Sequence, residues 1–178
     1  MDVVLRYGPG TVMPFAQKSP WYLLIEAGDS QLDAPLATAM EGFLAEAFEA
    51  GLISDATIAA SLAQEEAIWK LRHGVTGEFK LAGKTMSHDT SVPVVEQPAF
   101  VRRVEEGVLA AYPDANVMSV GHIGDGNIHV VVLFPHERFA TSEEFGFASD
   151  AIDVIIDDAA IELGGPTAAA HGFGRRNL

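Results

Sequence analysis

Gly121-His122-Ile123-Gly124-Asp125-Gly126-Asn127-Ile128-His129 is the stretch that decides the fold class of this chain. It reads as a mirror about Asp125-Gly126, a dipeptide suited to the centre of a tight hairpin turn, where both residues take positive φ. Apolar runs flank it, Val117 to His122 before and Ile128 to Phe134 after. Two strands joined by two residues are antiparallel, so at least part of the sheet is antiparallel. This turn predicts Gly124 opposite Asn127, Ile123 opposite Ile128 and His122 opposite His129. Directly opposed residues share a face, with Cβ atoms about 4.5–5.5 Å apart. The two imidazoles would then stand side by side on one face, and the two isoleucines would enter the core on the other.

Outward from the hairpin, strands and helices alternate. Thr141 with Glu144 is a capping-box pattern opening a last helix, whose apolar stripe is Phe145, Ala148, Ile152, Ile155, Ala159 and Leu163, closed by Gly164-Gly165. Upstream, Pro98 opens a helix with Val101, Val104, Val108 and Ala111 inward, stopped before Pro113. Asp89 to Val95 is extended, with Pro93 assigned to an edge or a position outside the ladder. Phe79 to Met86 reads as a basic loop. Ser61 and Gln64 open a helix to about Thr76. Asp55 to Ala60 reads as a short strand, and Asp33 to Ala50 as a helix with the stripe Leu36, Met40, Phe43, Leu44, Ala47 and Phe48. Trp21 to Glu26 reads as a buried strand. The order βαβαβαββα predicts an α+β domain, a largely antiparallel sheet backed by helices, over residues 21–178. Residues 1–20, with two prolines and little periodicity, read as a segment wrapping the surface.

Composition narrows the function. The chain has 178 residues, 11 Lys+Arg against 25 Asp+Glu, and no cysteine. One compact domain is the default at this length. A net charge of −14 argues against a nucleic-acid binder and against an anionic membrane surface. Without cysteine there is no disulfide, thiolate zinc site, iron–sulfur cluster or thiol nucleophile. No apolar run reaches the roughly 18 residues of a membrane span. The first residues lack the order of a signal peptide. A cytoplasmic protein is expected, although the missing cysteines suit a periplasmic one too. Charge is uneven: Pro20 to Trp69 holds no base, whereas Lys70, Arg72, Lys80 and Lys84 cluster. That cluster is either a solvated helix face followed by a loop, or a local positive site for a small anion.

Three groups carry candidate chemistry. His122 and His129 can converge on one divalent metal or polarise a hydroxyl, or they are two solvated or hydrogen-bonded hairpin histidines. Two histidines alone fall short of the three protein ligands usual in catalytic zinc sites. His171 lies in Ala170-His171-Gly172-Phe173-Gly174, where glycines let backbone approach a ligand, or else in a tail ending in Arg175-Arg176. Trp69, Arg72 and Thr76 share a helix face, and a guanidinium beside a hydroxyl suits a carboxylate. Otherwise Arg72 lies across Trp69. His73, His88 and His136 read as bland.

These pieces, in this order, resemble the C-terminal half of FAD-linked oxidases of the vanillyl-alcohol oxidase superfamily. The likeness is to D-2-hydroxyacid dehydrogenases of the D-lactate, glycolate oxidase and D-2-hydroxyglutarate types. Ile68-Trp69-Lys70-Leu71-Arg72 is similar to the family's Trp-x-x-Arg helix, and Asp89-Thr90-Ser91-Val92-Pro93 to its Asp-x-Ser-x-Pro segment. Gly121 to His129 matches Gly-His-x-Gly-Asp-Gly-Asn-x-His, and Gly164-Gly165 through Gly174 resembles the closing Gly-Gly-x-x-x-x-Glu-His-Gly-x-Gly. The resemblance implies a ferredoxin-like cap domain. It implies His122 and His129 as metal ligands, with zinc as one candidate, and His171 as the base that takes the hydroxyl proton as hydride passes to flavin. Arg72, Thr76 and Lys84 would hold the carboxylate of a small 2-hydroxy acid, and Asn127 and Gly172 would face the cofactor.

The same resemblance marks departures. Ala170 stands where the family has a third ligand, a glutamate; Ser87 stands for a substrate lysine, and Val131 for an asparagine. These departures predict weak or absent zinc. The family's FAD-binding domain has no counterpart in this sequence, so the expectation is a colourless, inactive domain that needs an FAD-binding domain or subunit. Apolar surface left at such a junction would favour a homo-oligomer. The alternative is a non-catalytic relic that packs on another subunit or binds a small anion.

Overall fold

The computed structural model describes residues 1–31, 34–77 and 79–165, with 75–77 and 80 described by backbone alone. The chain divides into two compact units, residues 1–78 and 79–178. No helix among the described residues is long and apolar enough to cross a membrane.

The first unit is helical. α1 (Asp2–Tyr7) lies against α3 (Leu62–Gly77), and Val4 is fully buried. Residues 1–20 therefore do more than wrap a surface, since they supply a helix and a core residue. α2 (Leu36–Glu49) begins after Pro35 and ends at Gly51, whose φ of +69° reverses the chain. The start of α3 is the expected capping box: the Gln64 amide donates to Ser61 Oγ at 3.3 Å, and the Ala60 amide donates to Gln64 Oε1 at 2.7 Å.

Two expected strands are absent. Residues 21–26 and 55–60 carry no strand, and Trp21, Leu23 and Ile25 are 64%, 65% and 42% exposed. The first run is apolar and suited to a buried strand, but a strand exists only with a lateral hydrogen-bonding partner, and this one has none in the described structure. The second run is half alanine, a poor strand former.

The second unit is a three-stranded antiparallel sheet backed by two helices, an α+β arrangement. After a short helix α4 (Phe79–Ala82), β1 (Lys84–Ser91), β2 (Asn116–His122) and β3 (Asn127–Phe134) form a sheet of order β1-β3-β2. The expected basic loop from 79 to 86 is thus a helical turn and the start of a strand. Along β1 the burial alternates, with Met86, His88 and Thr90 inward, but two of these three are polar, so no apolar period marks the strand. Pro93 falls outside the ladder, as expected, and precedes a 3₁₀ turn at Val94–Glu96.

α5 (Gln97–Ala111) and α6 (Ser142–Glu162) cover one face of this sheet. β3 offers Ile128, Val130, Val132 and Phe134 to that core, each 5% exposed or less. Phe100, Val104 and Val108 meet them from α5, and Ala148, Ile152, Ile156 and Ala159 from α6. The α5 stripe is rotated from expectation, because Phe100 and Gln97 turn inward while Ala111 is exposed. Phe134 sits edge-on to both Tyr112 and Phe139, with centroids 5.7 and 5.0 Å away. The α6 capping box forms as the sequence predicts: Thr141 Oγ1 accepts from the Glu144 amide at 3.1 Å, and Glu144 Oε2 from the Ala140 amide at 2.8 Å.

The hairpin differs from expectation in its register. β2 and β3 pair His122 with Asn127, Gly121 with Ile128 and Val120 with His129. The connection is four residues long, a 3₁₀ turn at Ile123–Asp125 followed by Gly126 at φ +73°. Only Gly126 takes positive φ there, so the two-residue turn, which needs it at both central positions, does not form. Contacts made by the loop favour the longer form. The Val92 amide donates to Gly126 O at 3.0 Å, and Gln97 Nε2 donates to Ile123 O at 3.4 Å. A Cβ at Gly126 would lie 2.4 Å from Val92 O, so the approach itself requires glycine.

Candidate functional site

The site candidates gather on the sheet face turned away from α5 and α6. Alternation along β3 places Asn127, His129, Val131 and Leu133 on this face, opposite the core residues. Their register partners bring Ser91, Asp89, Ser87 and Thr85 from β1, and His122, Val120, Met118 and Asn116 from β2. The slip from the expected register is two residues, so His122 and His129 still share a face. They are diagonal rather than opposed, a relation that separates Cβ atoms by about 7–8 Å or somewhat less.

On the edge strand of this face stands Asp89. It is the register partner of His129, and its Oδ1 lies 3.1 Å from His129 Nδ1. The same oxygen accepts from Asn127 Nδ2 at 2.8 Å. His129 and Asp89 keep 29% and 25% of their side-chain surface exposed, while His122 is exposed. Asn127 Oδ1 is buried and has no hydrogen-bond partner among the described residues. A buried acceptor without a donor costs about 1–3 kcal/mol, which a ligand supplying an N–H or O–H would recover.

Other expected site residues lie elsewhere. Lys84 is on the helix-covered face at the far end of β1, and its Nζ donates to Phe139 O at 2.8 Å. Its ammonium is therefore engaged away from Asp89. Arg72 belongs to the first unit; it is half-buried and makes no ion pair among the described residues. The ring stacked on Trp69 is His73, with centroids 5.3 Å apart, not Arg72. The Thr76 side chain, Ala170, His171 and Gly172 lie outside the described residues.

Two of the sequence departures prove to be one feature. Ser87 and Val131 are register partners, next along the ladder to Asp89 and His129. The positions where the family resemblance implied a lysine and an asparagine thus face one another, and here they hold a hydroxyl and an isopropyl group.

A metal does not fit the described residues. No group of three His, Cys, Asp or Glu among them is arranged to hold one. Position 170, where the family motif places a carboxylate, is alanine.

Asp89 was placed by the sequence only in the Asp-x-Ser-x-Pro segment, without a role, and His88 was given none. His88, read as bland, is 6% exposed on the core face, with Nδ1 2.8 Å from Asp153 Oδ1 and Nε2 3.2 Å from Asp157 Oδ1. The sequence signal was the pair Asp153 and Asp157, four apart beside the apolar stripe of α6, which places two carboxylates over one point of the sheet.

An antiparallel sheet backed by helices, with a His–Asp–Asn cluster on the face turned away from them, defines an α+β domain with a candidate site. The chain belongs to the family of FAD linked oxidases, C-terminal domain, which it matches over residues 2–177. It is 36% identical over 168 residues to a D-2-hydroxyglutarate dehydrogenase of Xanthomonas citri pv. viticola, spanning 93% of this chain and 34% of that protein. It is 36% identical over 130 residues to the mitochondrial D-2-hydroxyglutarate dehydrogenase of Arabidopsis thaliana, 73% of this chain and 22% of the relative. A D-2-hydroxyglutarate dehydrogenase of Stutzerimonas stutzeri matches at 29% over 170 residues, 90% and 34% of the two lengths. The chain therefore spans about a third of the bacterial relatives it matches.

Proposed function

We propose that this chain is the substrate-binding domain of a flavin-dependent 2-hydroxyacid dehydrogenase, working with an FAD-binding domain or subunit. The observation that carries the reading is the family match over residues 2–177, which includes the hairpin that sets His122, Asn127 and His129 on one sheet face. FAD, when bound, would supply the acceptor for a hydride from the substrate carbon. The unpartnered Asn127 Oδ1 fits a donor N–H of a flavin ring or a substrate hydroxyl. His129 Nε2 is a second acceptor suited to the hydroxyl proton, while His171 takes the role of base by its place in the motif. Arg72 and Thr76 hold the carboxylate in this reading, since a guanidinium forks onto a carboxylate. The relatives' names direct the substrate to D-2-hydroxyglutarate, but the Ser87–Val131 pair removes a cation and an amide from the face. We infer a 2-hydroxy acid with one carboxylate fewer near that edge, or a less polar side chain.

A hybrid tests this. The matching third of the Xanthomonas relative is replaced by this chain, and flavin absorbance is followed on adding D- or L-2-hydroxy acids. Loss of the oxidised flavin band with a D-2-hydroxy acid, and not with its L enantiomer, is expected. A folded, flavin-loaded hybrid that no 2-hydroxy acid bleaches would overturn the reading. It would leave the second one, a non-catalytic domain that packs on another subunit or holds an anion, which Ala170, Ser87 and Val131 favour.

A further inference from the structure

The structure assigns to Asp89 the part of a positioning residue: its carboxylate fixes the ring tautomer of His129 and the amide orientation of Asn127. His129 Nε2 and the buried Asn127 Oδ1 are then both held as acceptors on this sheet face. The assignment rests on geometry within one sheet and does not depend on the proposed activity.

An ionised carboxylate only accepts hydrogen bonds. With Asp89 Oδ1 3.1 Å from His129 Nδ1, the proton of the neutral ring belongs on Nδ1, and Nε2 keeps its lone pair. Solvated imidazole prefers the opposite form, with the proton on Nε2, so the strand partner reverses an intrinsic preference. The pairing is held by the ladder itself, because Asp89 and His129 are opposed in the β1–β3 register and share a face. The same oxygen takes the Asn127 Nδ2 proton at 2.8 Å, and Nδ2 also lies 3.4 Å from Thr90 O. An amide turned over would set its oxygen against both a carboxylate and a carbonyl. Its oxygen is instead the buried atom without a partner among the described residues. One carboxylate thus leaves two acceptors and no donor at these two side chains. The complementary ligand brings donors, an alcohol O–H or a ring N–H; a bare carboxylate does not match.

The test uses the 178-residue chain with nitrogen-15 histidine and long-range proton–nitrogen correlation spectra, at a pH where imidazole is neutral. His129 is assigned by the signal lost in His129→Gln. The expected result is an Nδ1–H ring at His129, reverting mostly to Nε2–H in Asp89→Ala while the His88 signals stay in place as a check on folding. If Asp89→Ala does not fold, Asp89→Asn replaces it, and the Nδ1–H fraction is expected to fall because a neutral oxygen competes less strongly for that proton. An Nε2–H ring in the unaltered chain overturns the assignment. So does an Nδ1–H fraction that neither substitution changes.

Discussion

Phe134→Ala is expected to destabilise the second unit by about 3–5 kcal/mol, the range for removing a fully buried aromatic ring. Phe134 is 0% exposed and ends the central strand, where its ring is packed edge-on between Tyr112 and Phe139. Phe139 in turn meets Phe145 edge-on at 5.5 Å, so four rings from β3, the α5–β2 connection, the β3–α6 connection and α6 are joined at this one position. Neighbouring rings tethered to separate elements cannot all move into the space, so most of the cavity remains and its cost is retained. Domains of this size hold only about 5–15 kcal/mol in total, so about a fifth or more of the stability is at stake. Both tryptophans, Trp21 and Trp69, lie in the first unit. Urea unfolding followed by hydrogen exchange at β3 amides reports the second unit, and tryptophan emission follows the first. A loss under about 1 kcal/mol at β3 would show that the rings do not organise this core.

The second large effect is pH-dependent and centres on His88. Burial opposes its charge, but the Asp153 hydrogen bond and the Asp153 and Asp157 charges outweigh that, so its pKa is raised above the ordinary 6.5. A group with a raised folded pKa stabilises in full below the unfolded value and loses that contribution as pH rises through the folded one. The second unit is therefore expected to resist urea better near pH ~6 than near pH ~8. The Asp153→Asn/Asp157→Asn double variant tests the cause, because other carboxylates remain while the two that raise the His88 pKa go. It is expected to lose about 1–2 kcal/mol at the lower pH, a charged hydrogen bond discounted for the half-exposure of both acids. It should lose little at the higher pH, flattening the dependence. A double variant with the same pH slope as the parent chain would show that His88 is not its source.

The fold was legible where chemistry repeats at a fixed period or a cap has a fixed spacing. α2, α5 and α6 lie where apolar stripes predict helices, although α2 buries none of its residues and Phe43 and Phe48 of its stripe are exposed; α3 and α6 follow the Ser61/Gln64 and Thr141/Glu144 boxes, and β2 and β3 follow the hairpin. β1 was only half legible, because His88 and Thr90 occupy buried positions and hide its alternation; what makes them tolerable there, in the case of His88, is a pair of acids some 65 residues away. Residues 21–26 show the opposite failure, an apolar run with strand character but no neighbouring strand to complete it. At the site, His122, Asn127 and His129 were legible as a group since they sit on one hairpin. Asp89 was not, because its tie to His129 is set by the β1–β3 register, which no local pattern encodes.

The two-residue difference between the expected and the observed hairpin carries a rule about how such a face can change. Side chains alternate strictly, so an even slip lengthens the loop and spreads the histidines apart without turning either over. An odd slip would drive His129 into the phenylalanine-lined core and bring Ile128 out to water. A slip of two therefore resets the distance between His122 and His129 while both stay on this face of the sheet.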